Sequence, residues 1–144
     1  MTEHIPHPIT LDTVFFTRCS VIAVMDHVPH GKLDVGPTNK FRVAKVEPNL
    51  YQAVMSSTMN LELSKEYPYS IDMECFADLR ADATLTEEEA MRGVHITAHS
   101  VLYGAIRESV AWLTGRQIYG PLMLGLSVLR PVQAKQEEIS EAKS

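Results

Sequence analysis

Two stretches in which apolar and polar residues alternate, YQAVMSSTMNLEL (residues 51–63) and YSIDMECFADLRA (residues 69–81), decide the fold of this chain. In both, the odd-numbered positions are mostly apolar and the even-numbered positions mostly polar. A period of two places one face of a strand on a core and the other in water. The short connection at residues 64–68 therefore predicts an antiparallel hairpin with one buried face.

A long helix is predicted directly after this hairpin. Thr86-Glu87-Glu88-Glu89 has the spacing of a capping box, in which Thr86 and Glu89 satisfy each other's backbone N–H groups. Apolar residues then recur at spacings of three and four, which is typical of a helix with one buried stripe. The pattern ends near Thr114, and Gly115 is predicted to close the helix in a left-handed conformation.

The segment before the hairpin predicts another long strand, VFFTRCSVIAVM (residues 14–25), which is rich in aromatic and β-branched residues. Both of its faces carry apolar side chains, whereas a strand covered only by its own domain is expected to be polar on one face. This favours burial of the extra apolar surface by a second copy of the chain or by a bound partner. Residues 26–40 read as a loop and residues 41–46 as a short strand.

The part of the chain that follows the helix has no clear periodicity. Tyr119-Gly120-Pro121 stops any continuation of the helix, residues 122–129 form a very apolar extended piece, and the sequence is polar and charged from Gln133. We therefore predict a single α+β domain over residues 1–132, followed by a polar tail at residues 133–144.

The composition of the chain excludes some classes of function. The chain has 144 residues, a net charge of −5 and a pI of about 5.6, which argues against binding to nucleic acid or to an anionic membrane surface. The first eight residues lack the features of a signal peptide, and no apolar run is long enough to span a bilayer, so we expect a cytoplasmic protein. Cys19 and Cys75 are expected to be reduced and buried.

No pattern in the sequence predicts catalysis. His95 and His99 have the i, i+4 spacing of metal ligands, but no further ligand is identifiable, and packing or surface roles are favoured. No glycine-rich phosphate loop or cysteine-nucleophile signature is present. We expect no catalytic residue, no metal and no cofactor.

Residues 101–131, VLYGAIRESVAWLTGRQIYGPLMLGLSVLRP, resemble the SecB protein-export chaperones. In that family the helix has an aromatic-x-x-Ala-Arg-Glu core, which Tyr103, Ala105, Arg107 and Glu108 resemble here. A turn and an extended apolar crossover ending near a proline follow in the family, as they do in this chain. The order of the preceding strands also agrees.

The resemblance implies a four-stranded antiparallel sheet with helices on one face, assembly as a homotetramer (a dimer of dimers), and ATP-independent holding of non-native polypeptides in apolar grooves. Seven methionines and several aromatic residues supply adaptable apolar surface for this role. The expected client-binding residues are Phe15, Phe16, Trp112, Tyr119, Leu122 and Leu124. The expected oligomer interface consists of Val21, Ile22, Val101 and Ala105.

Two departures from the family narrow the expected function. The family docks the motor SecA through acids in the first strand and on the wet sheet face, but this first strand carries Arg18 and no acid at the matching positions. Asp72, Glu74 and Asp78 are the remaining candidates for an acidic docking face. The family's second helix is expected to be short or absent here. These features favour a specialised holding chaperone, for instance one dedicated to an antitoxin, over a general export factor.

Two other classes of protein stay open from the sequence alone. One is a small-molecule-binding or hot-dog-like thioesterase domain, although the strands here mostly precede the helix. The other is a purely structural assembly protein, in which the apolar first strand only builds an oligomer.

Overall fold

The computed structural model describes residues 7–29 and 36–126, which form a four-stranded antiparallel sheet and one long helix. The strand order in the sheet is β1-β4-β3-β2, so β1 and β2 are the two edges. The elements are β1 (Ile9–Ala23), β2 (Thr38–Glu47), β3 (Leu50–Met59), β4 (Tyr69–Ala81) and α1 (Glu87–Thr114). The predicted fold class is confirmed, and residues 133–144 lie outside the described residues.

The predicted β3–β4 hairpin forms the centre of the sheet. The bounds of β4 are as predicted, but β3 ends at Met59 although the alternation continues to Leu63. Asn60 adopts a positive φ of 52°, and its side chain accepts a hydrogen bond from Ser64 N and donates to the carbonyls of Ser64 and Tyr69. These local bonds turn the chain before the apolar pattern ends, so Leu61 and Leu63 are exposed.

Helix α1 packs across one face of the sheet, and the core lies between them. The odd positions of β3 and β4 are buried against the helix, while their even positions form the opposite, open face. The helix contributes its own stripe of fully buried residues: Val94, Ala98, Leu102, Ile106, Val110 and Thr114. Within the described ranges, no helix combines the length and the apolarity needed to cross a lipid bilayer.

The two ends of the helix differ in how well the sequence predicted them. The capping box at Thr86 and Glu89 is confirmed, with both reciprocal hydrogen bonds present. The prediction of a left-handed cap at Gly115 was wrong, because Gly115 has φ −58° and its N–H continues the helical bonding to Ala111 O. Among the described glycines, Gly120 is the left-handed one, with φ 79°, where the chain turns back from the helix.

The edge strands are longer than their apolar runs indicated. Strand β1 pairs with β4 from Ile9, with irregularities between Leu11 and Thr13 and between Phe16 and Arg18. Strand β2 runs over Thr38–Glu47 and pairs with β3. Polar residues extend both strands because backbone pairing with an existing neighbour does not require apolar side chains.

Candidate functional site

Strand β1 exposes apolar side chains on both faces of the sheet. Residues directly opposite each other in an antiparallel pair share a face, so Leu11 and Val14 lie on the helix side, opposite Leu79 and Ala77. Both remain more than one-third exposed, although they are on the side that the helix covers. The helix therefore covers β3 and β4 well but leaves part of β1 uncovered.

The two adjacent phenylalanines of β1 lie on opposite faces. Phe15 is on the open face, where its ring stacks on Phe76 with centroids 5.6 Å apart, and it is still 45% exposed. Phe16 lies opposite Cys75 on the helix side and is partly buried against the core. A single groove therefore cannot include both rings within one chain.

A second group of exposed apolar side chains lies where the helix ends and the crossover begins. Trp112, in the last turn of the helix, is 78% exposed, although tryptophan is usually largely buried. Ile118 and Met123 follow in the chain, and Met25 lies just after β1. We call Met25, Trp112, Ile118 and Met123 the crossover-end surface.

Tyr119 holds this end of the fold together. Its hydroxyl donates to Val24 O at 2.6 Å, and its ring packs edge-on against His27 and Tyr69, with centroids 5.3 and 5.8 Å away. The buried Tyr69 in turn donates its hydroxyl to Gly120 O, and burial raises the pKa of this tyrosine. Tyr119 and Tyr69 thus join the segment after the helix to the segment after β1.

Residues 121–126, which we call the strap, run back along the helix. Arg107 Nε donates to Leu124 O at 2.8 Å, and Tyr103 OH donates to Gly125 O at 2.7 Å. Thr114 Oγ1 accepts from Leu122 N at 2.8 Å. Leu124 is only 5% exposed and belongs to the core.

The open face carries charges that are mostly paired. Arg18 contacts Asp72 at 3.1 Å and Glu74 at 3.2 Å, so the cation that distinguishes this first strand lies directly on the acidic residues of β4. Asp78 accepts a hydrogen bond from Thr13 Oγ1 at 2.7 Å and another from Gln52. Arg18 therefore pairs with two of these three acids, while Asp78 is hydrogen-bonded to neutral side chains.

The structure places His95 and His99 against one aromatic ring and the two cysteines in different surroundings. The rings of His95 and His99 both pack edge-on against Phe41, and burial lowers the pKa of His99. Among the described residues, no group of three or more metal-binding side chains occurs. Cys75 is buried as expected, and burial raises the pKa of its thiol to about 11. The expectation that Cys19 is buried was wrong, since it lies on the exposed edge strand.

No protein-family model matches the chain, and no curated protein matches it. Among solved structures, it is similar to the Mycobacterium tuberculosis SecB-like chaperone Rv1957 in complex with a ChAD peptide from the Rv1956 HigA1 antitoxin. The TM-score is 0.57 at 22% identity, over 86% of this chain and 93% of that chain. The chain has a SecB-like fold. It is also similar to a Streptococcus agalactiae protein of unknown function, with TM-score 0.53 and 11% identity, over 82% of this chain and 97% of that one.

The SecB-like fold separates the residues that were predicted to bind clients. Trp112 is exposed at the end of the helix, Phe15 lies on the other side of the sheet, and Leu124 is buried. Tyr119 and Leu122 are partly buried against the core. Sequence reasoning did not assign Ile118 and Met123 to a site, although their apolar character beside the predicted crossover was the available signal.

The residues that were predicted to form an oligomer interface are similarly divided. Ile22 is 49% exposed on the open face, whereas Val21 is partly buried on the helix side. Val101 and Ala105 are partly buried and lie one turn apart on the helix. Only Ile22 of the four is a largely exposed apolar side chain within one copy of the SecB-like fold.

Proposed function

We propose that this chain is an ATP-independent holding chaperone that binds non-native polypeptide segments on exposed apolar surface in the cytoplasm. The observation that carries the proposal is Trp112, which is 78% exposed in the last turn of the helix and is followed along the chain by the exposed Ile118 and Met123. Exposed apolar clusters on a folded domain are typical of surfaces that bind other molecules. The SecB-like fold supports this reading.

The chemistry of the crossover-end surface suits varied apolar segments. Met25 and Met123 have flexible, polarisable side chains that adapt to different partners, and Trp112 offers a large rigid face. Phe15 and Ile22 provide a separate apolar area on the open face of the sheet. We propose that clients bind first at the crossover-end surface, because its large side chains are more exposed than those of β1.

The structural relative suggests a dedicated client. Rv1957 was solved with a peptide from an antitoxin, and that protein shares the fold of this chain. We infer that this chain also serves a restricted set of clients, with an antitoxin as the leading candidate. Arg18 supports this, because it pairs with Asp72 and Glu74 on the sheet face that corresponds to the SecA-docking face of the SecB family. A SecA-like partner must therefore displace or share Arg18.

We also propose that the chain assembles with copies of itself through β1 and the helix, as a homotetramer. Within one copy, β1 is an edge strand whose outer backbone groups pair with no other described strand. Exposed edges of this length are normally protected or paired. Val21, Ile22, Val101 and Ala105 are the proposed interface residues.

The first test measures aggregation of a chemically denatured model enzyme without ATP. We expect the wild-type chain to suppress aggregation at molar excess. Trp112→Ser combined with Met123→Ser should reduce suppression by about fivefold or more, since each large apolar contact contributes to binding. Ile96→Ser is the matched control, because Ile96 is 59% exposed on the helix but lies outside the crossover-end surface. Equal activity of both variants contradicts the assigned site.

A dedicated client requires a second test. The tagged chain is purified from its own cells, and co-purified proteins are identified and mapped with overlapping peptides. We expect one protein to dominate and its binding peptide to be apolar, with loss of binding in the Trp112→Ser variant. If no protein co-purifies and aggregation is also unaffected, a structural assembly role replaces the chaperone proposal.

A further inference from the structure

The strap contacts the helix in the way that a bound peptide contacts its receptor. Its inward positions are Leu122, which is partly buried, and Leu124, which is 5% exposed, while Met123 between them is 68% exposed. The alternation covers Leu122 to Leu124 and ends before Leu126, which is 84% exposed; an extended bound peptide places a side chain in a pocket in the same way. The strap is covalently part of the chain, but its contacts resemble those of a ligand.

The main chain of the strap is held by side chains of the helix. Thr114 accepts the Leu122 N–H, Arg107 donates to Leu124 O and Tyr103 donates to Gly125 O. Among the described residues, the strap makes no backbone–backbone hydrogen bond. We call the surface formed by Tyr103, Arg107 and Thr114, with the pocket that holds Leu124, the seat.

The seat binds features that many polypeptides share. Two of its groups donate to main-chain carbonyls, which every sequence offers, and the pocket takes one leucine-sized side chain. Gly125 is not required for the fit, since a Cβ added there meets no atom within 4 Å. Gly120, with φ 79°, lies just before the strap, where it allows the chain to turn.

We propose that the strap is an internal substitute for a client, and that an extended segment of non-native polypeptide with a leucine-like side chain competes with it for the seat. This inference rests on the proposed chaperone function and adds a regulatory step to it. Client binding at the seat requires release of the strap, so the strap lowers the apparent affinity for every client that uses the seat.

The test uses the full chain and a fluorescent peptide of residues 119–126, YGPLMLGL. Leu124→Asp weakens the strap and leaves the seat unchanged. We expect this variant to bind the peptide at least tenfold more tightly than wild type, as measured by fluorescence anisotropy. Adding Arg107→Ala to Leu124→Asp should reverse most of the gain, because the seat then lacks a carbonyl donor. Ile96→Asp, which places the same charge on an exposed helix position, should behave as wild type.

A second variant covers the case in which Leu124→Asp fails to fold, as judged by circular dichroism. Gly120→Ala strains the turn before the strap without altering the seat, and we expect a smaller gain in peptide affinity, about threefold. If a folded Leu124→Asp or Gly120→Ala chain binds the peptide no better than wild type, the proposal is wrong.

Hydrogen exchange of the wild-type chain gives an independent readout. With a reduced, carboxymethylated protein as the unfolded probe, the amide of Leu122, whose N–H donates to Thr114 Oγ1, should exchange faster in the complex than in the free chain. Unchanged or slower exchange there means that clients bind on top of the strap, which overturns competition but leaves the chaperone proposal intact. Failure to suppress aggregation, by contrast, removes the chaperone function whatever the peptide does.

Discussion

Thr114 connects the end of the helix to the strap, and its replacement by valine tests how firmly they are joined. Thr114 is fully buried, and its hydroxyl donates to Val110 O at 2.7 Å and accepts the Leu122 N–H at 2.8 Å. Thr114→Val keeps the shape of the side chain but replaces the hydroxyl by a methyl group. The Leu122 N–H then loses its acceptor.

The expected cost follows from that lost acceptor. A buried donor left without a partner costs about 1–3 kcal/mol, so we expect Thr114→Val to lower the free energy of unfolding by about 2 kcal/mol. Thr114→Ser is the matched control, because it keeps both hydrogen bonds and removes one methyl group, at a cost of about 1 kcal/mol. For a domain of this size, these losses correspond to decreases in Tm of roughly 8 °C and roughly 4 °C.

Both variants are compared with wild type by urea and thermal denaturation, monitored by circular dichroism. One protein concentration is used throughout, since self-association makes apparent stability depend on concentration. Hydrogen exchange at Leu122 should also be faster in Thr114→Val than in Thr114→Ser. If the valine variant is as stable as the serine variant, Thr114 does not join the helix to the strap as described.

Three further predictions concern other parts of the chain. Burial lowers the pKa of His99 below its usual 6.5, so the unfolded chain binds more protons than the folded chain as the pH drops from about 7 to 5. The free energy of unfolding should therefore fall over this range. Urea titrations should show a smaller fall in that free energy for His99→Phe. Cys19 should react with a thiol reagent much faster than Cys75, which should react only on unfolding; comparable native rates contradict the burial of Cys75. Gly104→Ala should raise Tm by a few degrees, because no atom lies within 4 Å of the added Cβ. Gly93→Ala should raise Tm less, because its added Cβ lies 3.2 Å from Ile9. If Gly104→Ala instead lowers the mass of the oligomer, a second copy packs closely against Gly104.

The periodic elements of the fold could be predicted closely from the sequence. Where an observed element bound differs from the predicted one, the difference has a local structural cause. The bounds of β4 follow from alternation alone, and the helix start follows from the Thr86–Glu89 capping box. The end of β3 does not, because Leu61 and Leu63 continue the alternation while the Asn60 side chain turns the chain. A side chain that hydrogen-bonds to the nearby backbone can end a strand even where the alternation of apolar and polar residues continues in the sequence.

The candidate site was less accessible to sequence reasoning. Exposure of Trp112 agrees with its predicted client-binding role but does not test it. The donors of the seat, Tyr103 and Arg107, were part of the SecB resemblance, yet nothing in the sequence assigned them a partner. Their bonds reach main-chain atoms 22 and 17 residues away, and contacts of a side chain with a distant backbone leave no periodic pattern.

The two edges of the sheet indicate how the exposed surfaces are divided between self-association and client binding. Strand β2 carries three cations, Lys40, Arg42 and Lys45, of which Lys45 pairs with Glu87, and charged edge strands resist pairing with other chains. Strand β1 carries a single cation, Arg18, and its charge is directed to the acids of β4, so it gives the outer edge little protection. We therefore expect assembly to start at β1 and to consume its apolar side chains. Of the crossover-end surface, Trp112, Ile118 and Met123 lie on the helix and the segment after it rather than on β1, so these exposed side chains remain for clients.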